Sequence, residues 1–150
     1  MPQSLAKIYV HLIFSTKNRV NLIDDQIEIE LFPYMAKILK DNDSPNLAIN
    51  AARDHVHLLF LLSRKFAVCD VIEEIKKSSS KWIKTKGEKY KQFYWQNGYG
   101  AFSVSQSNVN AVKNYIARQK IYHKKVTFKE EFIQFLEKYQ VEYDERYIWD

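Results

Sequence analysis

Between residues 6 and 105 the chain falls into six segments whose apolar spacing switches between strand-like and helix-like. The order of those segments narrows the fold more than any other property. Residues 6–16 are rich in β-branched and aromatic side chains and read as a strand. Residues 24–40 place Ile27, Leu31, Tyr34, Met35, Ile38 and Leu39 at helical spacing, with acids at the start and lysines at the end. After the turn cluster Asp43-Ser44-Pro45-Asn46, residues 46–52 and 55–62 read as two strands joined tightly through Arg53-Asp54. Residues 67–86 carry Val68, Val71, Ile72, Ile75 and Trp82 on the apolar side of a second helix, where Cys69 is expected in the core. Residues 93–105 read as a strand interrupted by Gly98 and Gly100, glycines that mark a bulge or a close backbone approach. The order β-α-β-β-α-β predicts an α+β, ferredoxin-like split βαβ fold, an antiparallel sheet with helices on one face. Helices over 108–124 and 128–139 follow. One domain, 1–150, accounts for the whole length.

Composition sharpens this frame. A single cysteine, Cys69, excludes an internal disulfide framework and a multi-cysteine zinc site. No run approaches the roughly 18 apolar residues of a membrane span, and the first residues lack the pattern of an export signal, so the expectation is a cytoplasmic protein. The net charge of +5 conceals a strong asymmetry. Residues 76–129 carry 13 Lys or Arg against one acid, Glu88, while 130–150 carry 2 against 7. Such a basic block repels itself unless an anion offsets it, and nucleic acid is the usual partner, an acidic membrane surface the second.

His55-Val56-His57 places two imidazoles two apart on a strand, on one face, where they can share a divalent metal. Two histidines also fall this way by chance on a buried strand. Tyr115 and Gln119, four apart, share a helical stripe. A phenol there can act as a nucleophile and the Gln119 amide oxygen as a hard metal ligand. Either can equally be structural, since the chain has 10 tyrosines.

Taken together, several blocks resemble the single-tyrosine HUH transposases of the smallest bacterial insertion sequences and their REP-associated relatives. The blocks are Phe14-Ser15-Thr16-Lys17-Asn18-Arg19, Asp54-His55-Val56-His57-Leu58-Leu59, Lys76-Lys77-Ser78-Ser79-Ser80-Lys81-Trp82, Trp95-Gln96-Asn97-Gly98-Tyr99-Gly100-Ala101-Phe102-Ser103-Val104 and Asn114-Tyr115-Ile116-Ala117-Arg118-Gln119. The resemblance implies a DNA transposase that cuts and rejoins single-stranded DNA at hairpin ends, Tyr115 forming a 5′-phosphotyrosine. It implies a divalent cation, Mg²⁺ or Mn²⁺, on His55, His57 and Gln119, and a homodimer whose sheet edges join. Many relatives have His-His where this chain has Tyr122-His123; Tyr122 then positions the phosphate or metal, packs, or as a lesser alternative is itself the nucleophile, and a three-ligand set has no need of His123.

DNA contacts are expected from Lys76, Lys77, Lys81, Lys84, Arg118, Lys120 and Lys124, with a solvated helix face as the plainer reading. Tyr94, Trp95 and Tyr99 stack on unpaired bases or pack in the core. Arg53 and Asp54 either orient an imidazole or close a turn. Two rivals stay open: a non-mobile relative that binds hairpins without cutting, and a metal phosphodiesterase that uses water.

Overall fold

The computed structural model describes residues 2–150. Its strands are β1 (Tyr9–Ser15), β2 (Asn46–Ala51), β3 (His55–Leu61) and β4 (Gly100–Val104), paired antiparallel in the order β2-β3-β1-β4. Five helices accompany them: α1 (Asp25–Asp41), α2 (Val68–Ile83), α3 (Val109–Ala117), α4 (Gln119–Tyr122) and α5 (Phe128–Lys138). The α+β, split βαβ order is the expected one.

The helices, however, do not lie on one face. Val10, Leu12, Phe14, Val56, Leu58 and Phe60 point to the side covered by α1 and α2. Residues of the opposite parity, Tyr9, Ile13, Leu59, Phe102 and Val104, meet Val109 and Ile116 of α3 and Phe128, Phe132 and Leu136 of α5. The sheet is sandwiched. This explains why all seven residues of β1 are buried and why its sequence shows no polar alternation.

Local chemistry sets the ends of these elements. Asp24 caps α1 by accepting from the Ile27 amide and also accepts from Tyr90 Oη at 2.7 Å. Burial opposes its charge, but Lys89, Tyr90 and the Ile27 amide hold its carboxyl down at about 2. Asp24→Ala is expected to cost about 1 kcal/mol, a fall in Tm of about 2–4 °C. Because the folded pKa lies below the unfolded one of about 3.9, the wild-type advantage is complete above that value and fades as pH falls toward 2. Thermal melts of both proteins at neutral and acid pH check this.

At the other end of the fold, Thr127 and Glu130 form a reciprocal capping box that starts α5. A Cβ at Gly100 would lie 2.8 Å from Phe132 of α5, so this glycine is the close approach that seats α5 on β4. The chain end folds back over α5: Trp149 packs on Phe128 and Phe132, its carbonyl accepts from Arg19, and the Gly98 amide donates to Asp150.

Two predicted elements are shorter than expected. The strand read over 93–105 is confined to β4, with Trp95 making only an isolated bridge to Thr16. Lys76 holds the intervening loop, its ammonium donating to the carbonyls of Gln96, Asn97 and Gly98 at 2.7, 3.0 and 2.7 Å. The helix read over 108–124 breaks at Arg118, which leaves helical geometry between α3 and α4. Cys69 is exposed rather than in the core, because α2 turns Val71, Ile72 and Ile75 inward instead.

Candidate active site

The α5 side of the sheet carries a buried polar cluster in an otherwise apolar layer. β3 delivers His55 and His57, both fully buried, from register positions opposite Ser15 and Ile13 of β1. Asp54, in the tight β2–β3 turn, takes the Nδ1 proton of His55 at 2.7 Å, which leaves Nε2 facing the cluster. Arg53 instead pairs with Asp25 at 3.1 Å.

At the centre lies the carboxylate of Glu131, from the first turn of α5 and fully buried. Its Oε1 is 2.9 Å from His57 Nε2, 3.0 Å from His123 Nε2 and 3.4 Å from His55 Nε2. Its Oε2 accepts the hydroxyl of Tyr115 in a short hydrogen bond. Each of these groups belongs to one chain.

The charges follow from this packing. Burial would raise the Glu131 carboxyl, but the surrounding imidazoles, His57 foremost, outweigh it and hold the group ionised far below the usual carboxylate range. Burial would lower His55, yet Asp54 and Glu131 reverse the sign and raise it. For His57 burial wins and the ring is neutral at higher acidity than usual. Burial, reinforced by the Glu131 charge, pushes the Tyr115 phenol well above its ordinary range.

Gln119 opens α4, four residues past Tyr115, and is fully buried. Its Nε2 donates to the Tyr115 carbonyl at 3.4 Å, while its Oε1 has no hydrogen-bond partner. A buried orphan acceptor costs about 1–3 kcal/mol and calls for an explanation. A divalent cation supplies one. The ligand atoms of His55, His57, His123 and Glu131 lie within 4.8 Å of one another, and imidazole nitrogens with a carboxylate oxygen are a donor set that fits such an ion.

Two members of this environment were not found from the sequence, Glu131 and His11. His11, buried on β1, has Nε2 2.9 Å from His57 Nδ1. Against the carboxylate, His57 donates from Nε2 and accepts from His11; were Nε2 to ligate a cation, His57 Nδ1 would donate to His11 instead. His11→Phe removes that partner and is expected to weaken Mn²⁺ binding about 10- to 100-fold, measured by calorimetry; unchanged affinity would refute the role.

The remaining sequence candidates divide between the two sides of the sheet. Tyr122 packs edge-on to Tyr115, ring centroids 5.4 Å apart, and donates to Gln134 at 3.0 Å. Lys120 bonds Asn50 at 2.9 Å, the Ala51 carbonyl at 3.1 Å and Glu28. Arg118 and Lys124 are exposed on the same side. Lys76, Lys77, Lys81 and Lys84 belong to α2 or its end, across the sheet from Tyr115. Lys77 and Lys81 are exposed, Lys84 lies 4.0 Å over the exposed Tyr94 ring, and burial lowers the Lys76 amine to about 8. Trp95 is buried, donating to Ser79 at 2.9 Å. No helix among the described residues is long and apolar enough to cross a membrane.

Two solved structures share the fold. A candidate transposase from Deinococcus radiodurans R1 aligns with a TM-score of 0.63 at 22% identity, covering 80% of this chain and 96% of that one. A REP-associated tyrosine transposase bound to a REP hairpin aligns with a TM-score of 0.62 at 16% identity, covering 84% and 74%. No curated protein is similar enough in sequence to match. The model of the family described as IS200-like transposase matches residues 4–119, most of the chain and all of the His55, His57, Tyr115 and Gln119 set. The chain belongs to the IS200-like transposase family.

Proposed function

We propose that this transposase cuts and rejoins single-stranded DNA with Tyr115 as its nucleophile. The observation that carries the reading is the partnerless Oε1 of buried Gln119, one helical turn from a phenol that is itself bonded into the histidine cluster. His55, His57 and Gln119 would hold a divalent cation, with Glu131 and His123 within reach of the same centre. When bound, the cation supplies positive charge that polarises the scissile phosphate and offsets the charge of Glu131. Its nitrogen-rich surroundings favour Mn²⁺ over Mg²⁺.

The chain's own groups do the rest. Glu131 Oε2 accepts from the Tyr115 hydroxyl and fixes the direction of the phenol oxygen. In the cut, the Tyr115 oxygen bonds to phosphorus, the bond from phosphorus to the 3′ oxygen breaks, and that oxygen leaves as a 3′-hydroxyl. A second 3′-hydroxyl reverses the exchange, so the phosphodiester is remade without an outside energy source. DNA is the partner, hairpin ends the recognised form, by likeness to the hairpin-bound REP relative. The cations on α2 and those around α4 offer two separate areas for phosphates. Because one tyrosine holds one strand end, joining two ends requires two chains, and a homodimer is part of the proposal.

The test is a denaturing gel of the full chain with labelled single-stranded hairpin DNA. A covalent adduct formed with Mn²⁺ and lost in EDTA supports the reading. Hairpin binding without an adduct under any divalent ion would favour the rival, a binder that does not cut. The phenol's burial, reinforced by the Glu131 charge, which favours its protonated form, is the observation on its side.

A further inference from the structure

Beside Tyr115, a cavity of about 380 Å³ opens between α3 and α5, with His11 of β1 on its wall. Its walls include the rings of Tyr115, Tyr122, Phe135 and Tyr139, and Lys138 lies at its edge, exposed. Two amides, Asn108 and Gln134, also line it, and no acidic residue does. The nicking reading assigns this space no role.

We propose that the cavity seats one unpaired nucleobase of the DNA strand, that of a nucleotide adjoining the phosphate attacked by Tyr115. The proposal rests on the nicking reading and deepens it. Its volume falls near the lower end of small-ligand sites, about 300–1,000 Å³, which suits one nucleotide rather than a duplex. Phe135 and Tyr139 lie within 13° of parallel, and stacking on Phe102 at 5.4 and 4.7 Å fixes the orientation of both rings. Stacking on such faces holds any base, while amides read its edge. Gln134 Oε1 is taken by the Tyr122 hydroxyl, which leaves its NH₂ to donate to a base acceptor. The Asn108 side chain, at the start of α3, makes no capping hydrogen bond to that helix. Lys138, within 5.8 Å of the Tyr139 ring centre, supplies positive charge for a neighbouring phosphate.

The occupant follows from the wall that matters most. A strand whose phosphate reaches the Tyr115 oxygen must place an adjoining nucleotide within a few ångströms of it, and this is the aromatic, acid-free space there. The other aromatic groove, lined by Tyr94, Trp95 and Tyr99, lies on the α2 side and contains no residue of the Tyr115 cluster.

Photocrosslinking tests the proposal on the full chain, with a single-stranded DNA hairpin whose unpaired thymidylate flank carries one 5-iododeoxyuridine, and mass spectrometry of the linked peptides. The expected crosslinks fall on Tyr122, Phe135 or Tyr139. Ala111→Phe, which fills the cavity from an exposed position of α3, is expected to lower crosslink yield and affinity about tenfold, the order set by stacking of one base. Lys138→Glu, on the exposed side of α5, is a second variant expected to weaken binding should Ala111→Phe fail to fold. Crosslinks confined to Tyr94 or Tyr99, with affinity indifferent to a folded variant, overturn the cavity assignment and leave the nicking reading intact. No binding of the oligonucleotide at all overturns both.

Discussion

Tyr115→Phe is expected to abolish the covalent protein–DNA adduct, with the cleavage rate falling by at least about 10³-fold, while hairpin binding survives. The substitution removes one oxygen and keeps the ring that packs against His57, Tyr122 and Phe135 at centroid distances of 5.9, 5.4 and 5.7 Å. What is lost is the nucleophile and the hydrogen bond to Glu131. Tyr122 makes the result discriminating. Its hydroxyl is engaged by Gln134 of α5 rather than by the histidine cluster, so Tyr122→Phe should retain the adduct. An adduct that survives in Tyr115→Phe and disappears in Tyr122→Phe would reverse the assignment; strand cleavage that survives both points to water as the nucleophile. The pH dependence has a definite sign. Because burial and the Glu131 charge raise the phenol pKa, the ionised form grows as pH rises, and the cutting rate should climb through and beyond the neutral range.

How much of this was legible in the sequence depends on distance along the chain. The order of strands and helices along the chain was readable because each segment states its own period. The pairs His55/His57 and Tyr115/Gln119 were visible as local spacings, two apart on a strand and four apart on a helix, but only the family resemblance gave them roles. What required the fold was everything brought together across the sheet. Glu131 reaches His57 from 74 residues away, and His11 reaches the same ring from 46. A signal for Glu131 was nonetheless present: it is an acid in the apolar stripe of Phe128, Phe132 and Phe135, and an acid so placed must be paired. His11 likewise stands in a strand with no solvent-facing side. The basic block of residues 76–129 reads as one patch in sequence, but the sheet divides it, with α2 on one side and α4 on the other. Lys76 and Lys120 spend much of their hydrogen-bonding capacity inside the protein, one on a loop and one on the β2 edge.

Glu131→Ala should have the largest effect on the protein itself. This carboxylate is the common acceptor for His57, His123 and Tyr115, with the His55 ring also within salt-bridge distance. Removing one partner from a buried charged cluster costs about 3–5 kcal/mol, because the remaining polar groups stay buried without a counterpart. Urea unfolding in EDTA measures this loss directly. Metal binding gives the independent readout. If Glu131 contributes an anionic oxygen to the cation site, Glu131→Ala weakens Mn²⁺ at least as much as loss of a supporting residue does, about 10- to 100-fold, and calorimetry detects it without DNA or catalysis. The stabilisation of the wild-type chain by saturating Mn²⁺, about 2.7 kcal/mol at a hundred times the Kd, should then shrink in the variant at the same concentration. Glu131→Gln keeps the shape without the charge and should fall between the two. The opposite outcome is equally readable: if Mn²⁺ binds Glu131→Ala as tightly as wild type or more tightly, the carboxylate is only a stand-in for the cation, occupying the centre until the ion displaces it. In that case α5, which lies beyond the family-matched residues 4–119, would compete with the metal rather than complete its site.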